Sequence, residues 1–452
     1  MSESVDSAPR PPTTSMRRVA FASCTGTTIE FYDFFVYGTA AALVFPQVFF
    51  PALGSAAGTV ASFATFAVAF IARPLGAALF GHFGDRIGRK KTLISTLLLM
   101  GVATVLIGCL PSADTIGIAA PLVLIALRIA QGLAVGGEWA GATLLATEYA
   151  PKAKRGLYAV FPQLGPAIAF ALSSATFLLV NMFIGEESEA FINYGWRIPF
   201  IASALLVLIG LYVRLNVEET PVFARQSLAA RTSSVGPLVG VFKNQPRELL
   251  LASGALAMMF AFFYVGTAYL TNYGTATLGL SRGTVLSLGF VAALAFCASI
   301  VFSAMFSDRI GRRTMVIASC ALAIPGGLIL FPLLNTGSPA AFLAGLSLAL
   351  VIMGISYGPA GALLPEMFRT EYRYTGAGMA YAIAGVLGGG TAPMLAAELM
   401  ARFDSNSVGW MLTGFGIVSL ACAFALPETQ NRALESAEPQ PADQDTVPEP
   451  TA

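Results

Sequence analysis

Five ionisable residues stand inside long apolar runs: Glu30 and Asp33 in the first run, Arg73 in the second, Arg128 and Glu138 in the fourth. A charge at the centre of a membrane-spanning helix costs about 2.5 to 3.5 kcal/mol on insertion scales, so such residues pair with one another or face a wet cavity. Three negatives against two positives leave one carboxylate uncompensated. This set could bind a proton reversibly at a carboxylate, with Asp33 the first candidate, Glu138 the second and Glu30 beside them. It could also capture an organic anion on the planar forks of Arg128 and Arg73, although Arg73 could equally pair with Glu30. Static ion pairs that only pack helices are the bland alternative, and buried pairs add little over apolar packing.

The second half of the chain has no such charges in its apolar runs. Its polar handles are Tyr264, Tyr269, Asn272, Tyr273, Asn335, Tyr357 and Tyr381, with Glu398 expected near the outer interface. Tyrosine and asparagine can grip substrate hydroxyls or a ring. Tyr269 and Tyr273 lie near a run's end, where an interfacial aromatic belt is expected. Tyr357 is a better substrate candidate, with Tyr264 and Tyr381, because Gly354, Gly358 and Pro359 can loosen the helix where it lines a cavity.

The elements that must hold these residues are helices in lipid. The chain has 452 residues, of which 56% are hydrophobic and 11% charged, with mean hydropathy +0.72. That is too little charge to coat a soluble globule. Apolar runs near the ~20 residues needed to cross a bilayer follow the first at about 58–81, 92–111, 117–147, 157–183 and 198–214. Six more lie near 249–274, 283–306, 314–334, 339–364, 374–400 and 408–427. The expected organisation is a tail (1–20), a first six-helix bundle (21–214), a linker (215–247), a second bundle (248–427) and a disordered tail (428–452). No cleavable signal is expected, because the first run is long and carries Glu30 and Asp33. At ~1.5 Å per residue, Asp33 and Arg128 reach the midplane from opposite ends, with Glu30 and Arg73 nearer the termini. Glu30 and Asp33, three apart, share a helix face.

Charged loops show that the unit is duplicated. Gly81-His82-Phe83-Gly84-Asp85-Arg86-Ile87-Gly88-Arg89 returns as Ser307-Asp308-Arg309-Ile310-Gly311-Arg312, and the aspartates stand 223 residues apart. Glu148 and Arg155 are seven apart, and so are Glu366 and Arg373. Twelve spans put both termini on one side. Of 26 lysines and arginines, 21 fall on that side and only Arg197, Arg282 and Arg402 on the other. The positive-inside rule then places both termini in the cytoplasm. The loops read as gates, in which Asp85 sits at a helix N-terminus of the other half and Arg86, Arg89 and Arg155 pair with acids. Asp308, Arg309, Arg312, Glu366 and Arg373 would be their counterparts, and Glu148 the partner acid. Topology-setting charge explains the arginines but not the recurring aspartate and glycines. His82, the lone histidine, reads as a solvated loop residue.

The Gly-x-x-Gly-Asp-Arg-x-Gly-Arg-Lys loop, its second copy and Arg128-Ile129-Ala130-Gln131-Gly132 resemble the major facilitator superfamily. Glu30-Phe31-Tyr32-Asp33-Phe34, Arg73-Pro74-x-Gly76, Gly136-Gly137-Glu138-Trp139 and Gly195-Trp196-Arg197-Ile198-Pro199-Phe200 are similar to its metabolite:proton symporter branch, which holds shikimate, dicarboxylate and proline/betaine permeases. That branch usually has Trp where Phe31 stands. The resemblance implies an all-α integral membrane protein of twelve transmembrane helices in two pseudo-symmetric six-helix bundles, with a central substrate site and alternating access. Tyr32, Gln131 and Trp139, inside these motifs, join the candidate substrate contacts.

The expected activity is proton-coupled symport of a small organic acid across the inner (plasma) membrane by a monomer. Protons serve as the coupling ion, with no other cofactor and no metal. A zwitterionic osmolyte is the nearest rival substrate, although the tail shows no heptad. A non-transporting receptor is the rival of another class, and efflux by antiport would use the same parts. A net charge of +1 with no basic patch gives no case for nucleic acid. No cysteine pair has metal spacing, and no nucleophile stands with a histidine base, so no enzyme is expected.

Overall fold

The structure, a computed structural model, describes residues 16–87, 89–136, 139, 143, 155–185, 188–216, 237–369 and 373–430. Side chains are described outside 16–22, 81–91, 93, 214, 216 and 237. Glu138 and Glu148, and the side chains of His82, Asp85, Arg86 and Arg89, lie outside the described set.

The described chain is helical, with no strand among the described residues. A spanning segment in lipid must satisfy its own backbone, which a helix does. The first half comprises α1 (Met16–Leu43), α2 (Gly54–Ile87), α3 (Arg89–Cys109), α4 (Ala119–Val135), α5 (Arg155–Ile184) and α6 (Arg197–Asn216). The second comprises α7 (Pro246–Thr277), α8 (Arg282–Ile310), α9 (Arg312–Leu334), α10 (Pro339–Met367), α11 (Arg373–Arg402) and α12 (Ser405–Ala425). Among the described residues nine helices are long and apolar enough to cross a membrane, and Ile94–Cys109 and Ala119–Val135 are shorter apolar helices. With α1, which carries Glu30 and Asp33, they make the twelve. Large apolar side chains on the outside, such as Leu75, Leu205, Phe183 and Trp410, are more than half exposed, as suits a lipid-facing surface.

Local chemistry sets the helix ends. Ser281, Ser338 and Asp404 accept hydrogen bonds at 3.1 Å from the amides of Thr284, Ala341 and Ser407, capping α8, α10 and α12. Pro339 fits the first turn of α10, where no N–H is needed. Between α8 and α9, Gly311 has φ +103°, a conformation that side chains strain to adopt. This accounts for one glycine of the repeated loop.

Small residues set the packing. A Cβ on Gly76 would meet the Leu133 carbonyl at 2.0 Å, on Gly132 the Ala69 carbonyl at 2.2 Å, and on Gly136 the Arg73 carbonyl at 2.1 Å. Backbone contact of α2 with α4 through Gly132-x-x-x-Gly136 thus places Arg73 beside the end of α4. Gly354 and Gly358 do the same for α10 on α8, where a Cβ would meet Ser299 Oγ at 1.9 Å and Ser303 Oγ at 2.1 Å.

The expected loosening of α10 beside Tyr357 is therefore absent: the helix runs unbroken from Pro339 to Met367, and its glycines serve contact with α8. Irregular turns occur instead in α7, at Val265–Tyr269 and Tyr273–Thr277, and in α11, at Gly385–Gly390. These π-turns insert an extra residue per turn, and such bulges cluster at functional places. Tyr269 and Tyr273 are not belt residues either. Both are buried, and the Tyr273 hydroxyl donates to Asn335. Tyr269 ends the first π-turn of α7 and Tyr273 begins the second.

The linker and the start of the C-terminal tail carry local structure. The linker contains a helix, Pro237–Asn244. The C-terminal tail begins docked: Glu428 accepts from the amides of Arg312 (2.9 Å) and Arg313 (3.1 Å), and Thr429 is fully buried. The start of α9 leaves amides open, and an acid at that end supplies the acceptor.

Candidate functional site between the two halves

Helices α1, α3 and α4 bring Asp33 and Arg128 into one buried cluster without direct contact. Thr104 Oγ1 lies 2.8 Å from Asp33 Oδ2, and Gln131 Nε2 donates to Thr104 Oγ1 at 2.7 Å. Gln131 Oε1 in turn accepts from Arg128 Nη1 at 2.8 Å. Arg128 Nη2 donates to the Phe66 carbonyl at 3.3 Å. Asp33 Oδ1 has no hydrogen-bond partner among the described residues. Glu30, one turn earlier on the same helix, lines a different space from Asp33, the cavity where the two halves meet.

Aromatic rings hold both arginines. The guanidinium carbon of Arg73 lies 4.2 Å from the ring centroids of Phe34 and Phe70. That of Arg128 lies 3.7 Å from Tyr37, 4.9 Å from Phe34 and 5.3 Å from Phe66. Phe34 thus stands between two cations. Cation–π contact is worth about 0.5 to 2 kcal/mol each and fixes the guanidinium plane.

A cavity opens where the halves meet, lined by Glu30, Arg73, Val135, Gly136 and Trp139 of the first and Gly378, Tyr381 and Ala382 of the second. Nε and Nη2 of Arg73 have no hydrogen-bond partner among the described residues. These two groups form the side-on edge of the guanidinium, which presents two parallel N–H donors. Trp139 stacks on Tyr381 across the divide, with ring centroids 3.8 Å apart and planes 7° from parallel. Trp139 Nε1 donates to Gln163 Oε1 at 3.1 Å, and Gln163 Nε2 to the Tyr357 carbonyl at 2.6 Å. The Tyr357 and Tyr381 hydroxyls lie 3.5 Å apart.

The structure thus sorts the sequence candidates. Glu30, Arg73, Trp139 and Tyr381 line one cavity, and Tyr357 backs it. Tyr264 packs edge-on against Phe70 at 4.9 Å, beside Arg73. Arg128 and Gln131 are fully buried and do not line the cavity. They hold each other instead, Arg128 Nη1 donating to Gln131 Oε1. The Tyr32 hydroxyl points to Thr176 (3.3 Å) and the Pro199 carbonyl (3.5 Å), within the first half and away from this cavity. Sequence reasoning missed Thr104 and Gln163. Gln163 carried a signal, an amide between Pro162 and Pro166 in an apolar run, whereas a single threonine such as Thr104 gives none.

Polar contacts cross the divide at both ends. At the end that bears the chain termini, Asp308 accepts from the amides of Gly156 (3.0 Å) and Leu157 (3.1 Å), so a carboxylate of the second half sits at the N-terminus of α5 in the first. Arg312 pairs with Asp308 at 2.6 Å and approaches Glu366 at 3.6 Å. Thr429 Oγ1 donates to Glu366 at 2.8 Å, and Arg155 lies within electrostatic reach of Glu366. Arg373 Nε donates to the Pro365 carbonyl at 2.9 Å, whereas Arg309 is exposed. At the opposite end Asn272 Nδ2 donates to the Ala42 carbonyl at 2.8 Å, and Arg282 Nη1 to Asn181 Oδ1 at 3.3 Å. Among the described residues no group of three or more histidines, cysteines or acids could hold a metal ion.

Comparison with known proteins follows the same lines. The family model for the Major Facilitator Superfamily matches residues 24–393. The inner membrane metabolite transport protein YhjE of Escherichia coli strain K12 is 44% identical over 428 residues, covering 94% of this chain and 97% of that protein. The shikimate transporter of the same strain is 38% identical over 421 residues, covering 92% and 95%. A solved structure of the proton:xylose symporter XylE, bound to 6-bromo-6-deoxy-D-glucose, superposes with TM-score 0.71 at 20% identity, covering 93% of this chain and 97% of that chain. At that identity the likeness concerns the fold alone.

Proposed function

This chain belongs to the Major Facilitator Superfamily, and from that premise we propose that it is a proton-coupled symporter that takes up a small organic acid by alternating access. It is a multi-pass membrane transporter of small metabolites and not an enzyme. The observation that carries the substrate class is Arg73, a lining residue of a cavity shared by both halves, whose Nε and Nη2 have no hydrogen-bond partner among the described residues. Its Nε–H and Nη2–H match a carboxylate in two parallel hydrogen bonds, and the rings of Phe34 and Phe70 hold the fork in plane. The stacked faces of Trp139 and Tyr381 part to admit the carbon skeleton.

Asp33 is the proton site of this reading. It is buried, with one oxygen accepting from Thr104 and the other without a partner, so a proton has a place to bind. Lysine and arginine counts support a cytoplasmic position for both termini in the inner membrane. The Asp308–α5 contact is then the cytoplasmic gate and the Asn272–Ala42 contact the outer one. In this reading both contacts are made in an occluded intermediate, and a monomer carries the cycle. Movement between gates follows because each closure is a small set of polar contacts that can break while the other holds.

A second reading has one observation in its favour. Glu30 shares the cavity with Arg73, so an acid and a base lie close enough to hold both ends of a zwitterion such as betaine. Uptake into proteoliposomes under an inward proton gradient separates the two, using labelled shikimate, dicarboxylates, aromatic acids and betaine. Accumulation of an acid that collapses with a proton ionophore is the expected result. Accumulation of betaine alone selects the zwitterion, and counterflow without gradient-driven accumulation removes the proton coupling.

A further inference from the structure

Asp33 and Arg128 are an acid and a base buried in one cluster, yet no ion pair joins them among the described residues. We propose that Thr104 and Gln131 are positioning residues, a hydroxyl–amide spacer that keeps Asp33 and Arg128 apart so that Asp33 can both take up and release the coupled proton. The proposal rests on the symport reading above and adds the residues that make Asp33 exchangeable.

The hydrogen-bond chain allows this without moving a heavy atom. Thr104 Oγ1 has one proton and two lone pairs. Gln131 Nε2 donates to one lone pair at 2.7 Å. When Asp33 is charged, the Thr104 proton points to its Oδ2 at 2.8 Å. When Asp33 carries a proton, its O–H donates to the second lone pair, and the Thr104 proton turns to the Met100 carbonyl at 3.0 Å. Every bond of the chain remains satisfied in both states.

Gln131 can adopt only one orientation here. Flipping its amide would set an NH2 group against the Arg128 guanidinium, donor against donor, and leave Thr104 without its amide donor. Its oxygen therefore stays on Arg128 Nη1. A guanidinium occupied by Gln131 and by the Phe66 carbonyl, and caged by Tyr37, Phe34 and Phe66, has no reason to swing to Asp33. Without the spacer, Asp33 Oδ1, which has no partner, and Arg128 Nη1 would satisfy each other directly. An opposite charge in contact holds a carboxylate ionised, and an acid locked as its anion no longer carries a proton. The charged and titratable groups around this pair are Tyr32 on the helix of Asp33, and Tyr37, Arg73 and Tyr264 around Arg128.

The test uses the purified full chain and needs no transported ligand. Infrared difference spectra across a pH titration follow the protonated-carboxyl band that disappears in Asp33→Asn. In Gln131→Leu the band is expected to vanish earlier on the alkaline side by about one unit or more. Thr104→Val is expected to displace it as well, while Thr104→Ser restores the wild-type titration, a rescue that a merely space-filling role would not give. An unchanged titration in both Gln131→Leu and Thr104→Val overturns the spacer; if one variant does not fold, the other decides. If Asp33→Asn removes no titrating band, the assignment of Asp33 as proton site fails instead, and the two failures are distinguishable.

Discussion

Trp139 of the first half and Tyr381 of the second lie face to face, 3.8 Å between ring centroids, and close the central cavity across the divide. An aromatic pair contributes about 0.5 to 1.5 kcal/mol beyond its buried area. A substrate that parts the rings takes over those contacts. Trp139→Ala should weaken apparent substrate affinity by up to about tenfold, and Trp139→Phe should retain most of it. The concentration dependence of counterflow checks this, and equal affinity in Trp139→Ala would place the substrate away from the ring pair.

Arg73 and Arg128 should separate cleanly on mutation. Arg73→Lys loses the planar fork of a residue that lines the cavity, so apparent affinity for a carboxylate should fall about tenfold or more. Arg128→Lys disturbs Gln131 and the aromatic cage, so it should alter proton coupling more than substrate affinity. Measuring half-saturation for counterflow and gradient-driven accumulation in both variants decides; the reverse pattern would move the carboxylate to Arg128.

The Asp308 contact with the amides of Gly156 and Leu157 predicts an access defect. A charge on a helix N-terminus is worth about 0.3 to 2 kcal/mol, enough to bias two nearly balanced states severalfold. Asp308→Asn should favour opening at the terminus-bearing end. In a cysteine-free background with Ala382→Cys, a membrane-impermeant thiol reagent applied from that side should label severalfold faster, and an unchanged rate would remove Asp308 from the gate.

Packing of α2 on α4 predicts loss of stability at Gly132. A side chain there meets backbone, the Ala69 carbonyl, which cannot rotate away. Overpacking of this kind costs about 1 to 3 kcal/mol. Gly132→Val should lower the thermal unfolding temperature in detergent by several degrees. Gly414→Ala, where nothing lies within 4 Å, should leave it unchanged or slightly raised.

Glu428 tests whether the docked tail stabilises the terminus-bearing end. Its carboxylate caps α9 through the amides of Arg312 and Arg313. Loss of a helix cap costs about 0.5 to 2 kcal/mol. Glu428→Ala should lower the unfolding temperature, while Glu428→Asp should recover part of it.

Much of this was legible along the chain because lipid leaves few solutions. Long apolar runs must be helices, the duplicated Asp85 and Asp308 loops place two halves in register, and ionisable residues inside such runs are too costly to be incidental. The burial of Glu30, Asp33, Arg73 and Arg128 inside the bundle followed from those facts. Their division into a cavity set and a sealed relay did not. Helical spacing sets which residues share a face, but partners come from other helices far off in the chain. Asp33 meets Thr104 across 71 residues, Gln163 meets the Tyr357 carbonyl across 194, and Asp308 meets Gly156 across 152. Glycine contacts bring α2 against α4 at backbone distance, and Tyr269 and Tyr273 lie buried at the π-turns of α7. Those contacts left Arg73 lining the cavity and enclosed Arg128. The sequence alone determined the fold class and the set of ionisable residues placed inside apolar runs. The tertiary structure decided which arginine faces the cavity, because a guanidinium's freedom depends on the acceptors and rings that packing places around it.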